Sequence, residues 1–80
     1  MARVRVSIYP LDEVFDPQAR VVQRGLHRLG FDEVTRLRMG RVIELELPSG
    51  ADLEARVRQM CARLLVNEVI ETYSFDILEA

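Results

Sequence analysis

From Val4 to Tyr9 apolar and polar residues alternate, with Val4, Val6 and Ile8 on one side of an extended chain and Arg5, Ser7 and Tyr9 on the other. This is the period of a half-buried strand. Pro10 cannot donate to a ladder and closes it. Beyond it the period changes. Asp16 can accept hydrogen bonds from the free N–H groups of a helix start, and Pro17 suits the first helical position, where its missing donor costs little. Val22, Leu26 and Leu29 then form one apolar stripe, Gly30 can take the left-handed capping conformation, and Phe31 can fold back on the last turn. The spacing predicts a helix over 17–29.

Residues 34–39 and 41–47 read as two strands interrupted by Gly40, whose freedom at positive φ suits a tight reversal or a bulge and so predicts a hairpin. In 41–47, Ile43, Leu45 and Leu47 face one way and Val42, Glu44 and Glu46 the other. Pro48, Ser49 and Gly50 turn the chain. A second helix carries Leu53, Val57, Met60, Cys61, Leu64 and Leu65 on an apolar face, with Asp52 and Glu54 near its start and Arg63 near its end to suit the helix dipole. Strand character returns from Val69, where Tyr73, Phe75 and Ile77 alternate with Ser74 and Asp76. The order βαββαβ predicts an α+β, ferredoxin-like domain over 1–80: a mostly antiparallel sheet with both helices on one face. The first and third strands are expected at its centre. Arg3 and Arg5 then lie beside Glu44 and Glu46 on the helix-free face.

Eighty residues allow a single thin core, which association with another subunit would relieve, so a homo-oligomer is expected. The charge of −2 at pH 7, with every cation an arginine, lacks the bulk positive field of a non-specific phosphate binder. Single-stranded RNA readers of this topology need exposed aromatics on the central strands, where this chain has Arg5, Ser7, Glu44 and Glu46. Nucleic acid is therefore not an expected partner. The start of the chain is too interrupted by charge for a signal peptide or membrane span, and one cysteine gives no disulfide framework. A soluble, cytoplasmic protein is expected.

Candidate chemistry is sparse. Cys61 lies in the apolar stripe of the second helix and His27 on the polar side of the first, so helical phase separates the one thiol–imidazole pair. One His and one Cys cannot complete a tetrahedral zinc site. Gly25, Gly30, Gly40 and Gly50 stand apart and form no phosphate loop. Asp12–Glu13 and Asp32–Glu33 read as solvated turn acids, and Arg20, Arg24 and Arg28 as a solvated basic ridge. No catalytic, cofactor-binding or metal site is expected on this chain.

Three segments carry a specific likeness: Val14 to Gln18, Leu37 to Arg41, and Met60 to Tyr73, the last reading MCARLLVNEVIETY. Together, in order and spacing, they resemble PurS, the small subunit of phosphoribosylformylglycinamidine synthase, whose members show LDPQG, VRxGK and LLANPVIExY at these places. Phe15, Ala19, Arg41 and Glu68 depart from that pattern, and Leu11 stands where a lysine is usual. Ala19 suits a helix, and Arg41 keeps the charge with a different donor geometry.

The resemblance implies a non-catalytic subunit of purine biosynthesis that bridges the large ATP-dependent synthetase subunit, PurL, and the glutaminase subunit, PurQ, and couples ammonia transfer between them. It implies that ATP and Mg belong to the large subunit and that the small one forms a homodimer or tetramer. Its motifs point to Asp16, Pro17, Gln18, Arg38, Gly40, Arg41, Asn67, Glu71 and Tyr73 as partner contacts. The alternative is a small-molecule-sensing regulatory domain of the same topology. A small acyl-phosphate hydrolase would need an anion-gripping loop before the first helix, where Val14, Phe15, Asp16 and Pro17 bring an acid.

Overall fold

The computed structural model describes residues 1–79; Ala80, the last residue of the expected domain, lies outside the described residues. β1 (Ala2–Pro10) runs between β2 (Arg41–Leu47) and β3 (Glu71–Glu79), antiparallel to both. The alternation of β1 puts Ala2, Val4, Val6 and Ile8 on one face, where none is more than 1% exposed. Val4 pairs with Leu45 and Ile77, Val6 with Ile43 and Phe75, and Ile8 with Arg41 and Tyr73, so the apolar sets of all three strands share that face. On the other face Arg5 reaches Glu44 at 3.3 Å, and Arg3, whose strand partner is Glu46, reaches Glu79 at 3.6 Å.

Two helices complete the α+β fold. α1 (Pro17–Arg28) starts where the sequence predicts, and α2 (Leu53–Met60) sets Leu53 and Val57 into one core with Val4, Val6, Ile8 and the Cys61 that follows the helix. α2 passes into a π-helical turn, Cys61–Leu65, in which the Val66 N–H donates to the Cys61 carbonyl at 3.0 Å. The wider turn rotates the residues after Cys61 out of the 3.6-residue phase. Leu64, expected in the buried stripe, is consequently 85% exposed.

Two other expectations are corrected. Residues 34–39 carry no ladder among the described residues, so 41–47 forms an edge of the sheet and not its centre. Gly40 explains the difference. It makes no reversal, since among the described residues only Gly30, at φ 98°, has a positive φ. The main chain instead passes Gly40 flush against β1, where a Cβ would stand 2.1 Å from the Ile8 carbonyl oxygen. The second correction concerns α1. Among the described residues its backbone closely approaches no other helix or strand, and only Ala19 of the helix is buried. The chain therefore measures 49 × 26 × 14 Å, with residues 11–39 as an arm extending from the sheet.

Candidate functional site

The base of the arm holds the first group of candidate contact residues. Asp16 Oδ1 accepts from the backbone N–H groups of Gln18 at 3.0 Å and Ala19 at 3.3 Å, and Pro17 occupies the first helical position. Both residues thus start α1, and the helix begins at one wall of a groove of about 570 Å³ between Pro10–Asp16 and Arg36–Met39. Arg38 forms the opposite wall. It donates to the Pro10 carbonyl at 2.9 Å, and its guanidinium lies 4.9 Å from the centre of the Tyr9 ring, close enough for a cation–π contact. Asp12 also bonds Arg36 and lies 3.8 Å from Arg38, so an acid read as a solvated turn residue holds two arginines of the groove. The one trace of this in the sequence is that Arg36 and Arg38 share a face of an extended chain, opposite Leu37 and Met39.

A second group meets at the junction between the π-helical turn and β3. Arg41 donates to both carboxylate oxygens of Glu71 and, at 2.8 Å, to the Leu65 carbonyl. Asn67 closes the turn: its carbonyl accepts from Ile70 N–H at 3.0 Å and Glu71 N–H at 2.8 Å, and its side-chain Oδ1 accepts from Val69 N–H at 3.2 Å. Its own N–H donates to Glu71 Oε1 at 2.9 Å. Donation by Arg41, and then by Asn67 N–H, holds the Glu71 carboxyl below its ordinary range, while Glu71 raises the Arg41 guanidinium further. Gly40 precedes this cluster and is fixed by its contact with β1. Tyr73 stands on the core face opposite Ile8, half-buried, and packs against the core.

The nine candidates therefore form two clusters and one core-packing residue, and most carry structural duties. Asp16, Asn67 and Glu71 spend their acceptors on local backbone or on Arg41. Arg38, Gln18 and the groove beside them present more open surface.

Cys61 and His27 are not brought together. Cys61 is buried in the core, where desolvation first and the Glu68 charge second push its thiol up, away from the reactive thiolate. His27 Nε2 lies 2.7 Å from the Val34 carbonyl, inside the arm. Among the described residues no group of three His, Cys, Asp or Glu side chains could hold a metal ion, and no helix is long and apolar enough to cross a membrane.

Residues 3–79 match the family PurS, phosphoribosylformylglycinamidine (FGAM) synthase. The chain is 39% identical over 80 residues to the phosphoribosylformylglycinamidine synthase subunit PurS of Bacillus subtilis (strain 168), covering 99% of this chain and 95% of that protein. The C2 crystal form of B. subtilis PurS superposes with a TM-score of 0.86 at 38% identity, over 99% of this chain and all of the other. A chain in the structure of PurLQS from Thermotoga maritima superposes with a TM-score of 0.82 at 28% identity, over 96% of each chain.

Proposed function

Because this chain belongs to the PurS family of phosphoribosylformylglycinamidine synthase, we propose that it is the small, non-catalytic subunit of that enzyme in purine biosynthesis. Its partners are the large synthetase subunit PurL, the glutaminase subunit PurQ and further copies of itself. The observation that carries this reading is the whole-chain likeness to a chain of the PurLQS assembly, at 96% coverage on both sides. In the assembly ATP and Mg are used by the large subunit, and this chain binds neither. The complex works in the cytoplasm.

The residues suit a coupling role. Ammonia released by glutamine hydrolysis is protonated in water, and a third subunit that holds the two active sites in register raises its effective concentration at the acceptor. Such a subunit needs recognition surfaces and no reactive group of its own. The groove between Asp12, Asp16 and Arg38 offers paired charges beside the exposed Phe15 ring, a mixture that interfaces use at their anchors. Asp16, Pro17, Gln18 and Arg38 contact one partner through this end of the molecule. Gly40, Arg41, Asn67, Glu71 and Tyr73 shape the junction that a second contact reads.

Reconstitution tests the proposal. Large subunit, glutaminase subunit and this chain together should form the amidine from glutamine, whereas omission of this chain should abolish or sharply reduce that reaction. The large subunit should still use added ammonia without it. Glutamine-dependent turnover equally fast with and without the chain would refute the coupling role.

A further inference from the structure

The arm meets the sheet through a narrow neck of two chain segments, 11–16 and 36–40. Among the described residues α1 closely approaches no other helix or strand, so the neck sets its direction. The far end of the arm is closed on itself, with the Phe31 N–H donating to the Leu26 carbonyl at 3.0 Å and His27 Nε2 lying 2.7 Å from the Val34 carbonyl. The arm therefore turns as one piece.

Each neck segment is tied to the sheet. The Leu11 N–H donates to the Ile70 carbonyl at 2.9 Å, while on the other segment Arg38 holds the Pro10 carbonyl and the Tyr9 ring, and Gly40 lies flush on Ile8. Between the two segments the described residues make one ionic link, through Asp12 Oδ1, which bonds Arg36 and lies 3.8 Å from Arg38 Nε. Arg36 and Arg38 share a face of an extended chain, so without that carboxylate two like charges would stand side by side at the neck. Asp12 is 69% and Arg36 63% exposed, and exposed pairs of this kind add little to folding stability. Their leverage is large. A helix of 12 residues is about 18 Å long, so a turn of about 20° at its base carries its end through about 6 Å.

We propose that Asp12 is a positioning residue: its carboxylate, shared between Arg36 and Arg38, sets the direction in which the arm leaves the sheet. The consequence for assembly rests on the proposed function. A subunit that holds two enzymes in register gains from an arm aimed before its partners arrive, because the cost of ordering it at the contact is then removed.

Pulsed electron–electron resonance reads the direction. Chains with Cys61→Ala carry spin labels through Arg28→Cys, at the end of α1, and Ser74→Cys, on β3, and are refolded with a large excess of unlabelled chain so that only distances within one chain count. With Asp12 in place the expected result is one narrow distance, which broadens or shifts by several ångströms in Asp12→Asn and recovers in part in Asp12→Glu. High salt, which screens an exposed pair, should broaden the distribution with Asp12 and leave that of Asp12→Asn as it is. The circular dichroism spectrum and urea midpoint should be the same with Asp12 and with Asp12→Asn. Identical distance distributions, or a broadening that comes with lost helix, overturn the proposal. In the reconstituted assembly Asp12→Asn should raise severalfold the concentration of this chain that gives half-maximal glutamine-dependent turnover, with the plateau unchanged. No rise, despite a broadened distance, overturns the role in assembly. The distances decide the positioning even where the chain fails to support turnover, so a failure of the proposed function is told apart from a failure of the neck.

Discussion

Arg41 and Glu71 join the two edge strands of the sheet across β1. Arg41 stands opposite Ile8 and Glu71 opposite Pro10, on the helix-covered face, and the guanidinium takes both carboxylate oxygens. A paired fork of this kind also fixes direction, and the second nitrogen caps the Leu65 carbonyl at the end of the π-helical turn. Arg41→Ala should lower the urea midpoint and loosen the junction at residues 65–71. Arg41→Lys should recover only part of the loss, since an ammonium cannot hold both oxygens and the carbonyl in one plane. Equal midpoints for the Arg, Lys and Ala forms would show that the clamp contributes nothing.

Acid should release the same clamp. The folded carboxyl of Glu71 is held below its ordinary value of 4.5 by Arg41 and Asn67. The stabilisation is therefore complete above that value and disappears as pH falls through the lower folded one. The difference in urea midpoint between the protein and Glu71→Gln should stay level from about pH 7 to about pH 5 and shrink toward about pH 3, at one fixed protein concentration. A difference that grows on acidification would contradict the assignment.

Two glycines should respond oppositely to a methyl group. At Gly40 a Cβ would meet the Ile8 carbonyl oxygen at 2.1 Å, so Gly40→Ala must part β1 from the start of β2, at a cost of about 1–3 kcal/mol or more. Gly25 sits inside α1 with nothing within 4 Å of such an atom. Gly25→Ala should stabilise by about 0.5–1 kcal/mol. Thermal or urea unfolding of the two variants measures both.

Core and surface leucine-type residues should separate by concentration. Ile8, 1% exposed, should lose about 2–5 kcal/mol on replacement by Ala at every protein concentration. Leu64→Ala should cost about 0.5 kcal/mol or less in dilute solution, because its side chain is largely in water within one copy. Its effect should grow as concentration rises and the wild-type protein associates. Unfolding curves across a hundredfold range in concentration, about 3 kcal/mol of mass action, make the comparison.

Removal of charge from the groove should affect assembly more than folding. Arg36→Ala and Arg38→Ala take away partners of Asp12 and, for Arg38, of Pro10 and Tyr9, all near the surface. If this end meets a partner subunit, each should weaken glutamine-dependent turnover at limiting subunit concentration by about tenfold, or ~1.4 kcal/mol. The ammonia-dependent reaction and the circular dichroism spectrum should not change. Unaltered glutamine-dependent turnover in both variants would remove the groove from the interface.

Local regularity was legible in the amino-acid sequence. The alternation from Val4 to Ile8 places the buried face of β1, and Asp16–Pro17 marks the start of α1 to the residue. The same alternation places Arg3 and Arg5 on the face of β1 opposite its core residues. In each case the cause lies within a few residues, in side-chain period or in the orphan donors of a helix end.

Tertiary structure alone decided what depends on distant residues. Gly40 has the sequence character of a reversal, but the approach of the Ile8 carbonyl, 32 positions earlier, makes it a point of contact in a straight segment. Leu64 continues a helical stripe by count and faces water by structure, because the π-helical turn from Cys61 shifts the phase that counting assumes. Arg41 and Glu71 are separated by 30 positions, and no local period relates them; the register of two strands on β1 does. The sequence by itself determined which residues are apolar enough to seek cover and which backbone shapes they favour. Where the chain reverses, which edge stays open and which side chains meet across the sheet were set by packing, since close contact and hydrogen-bond pairing act through space and override local propensity wherever the two disagree.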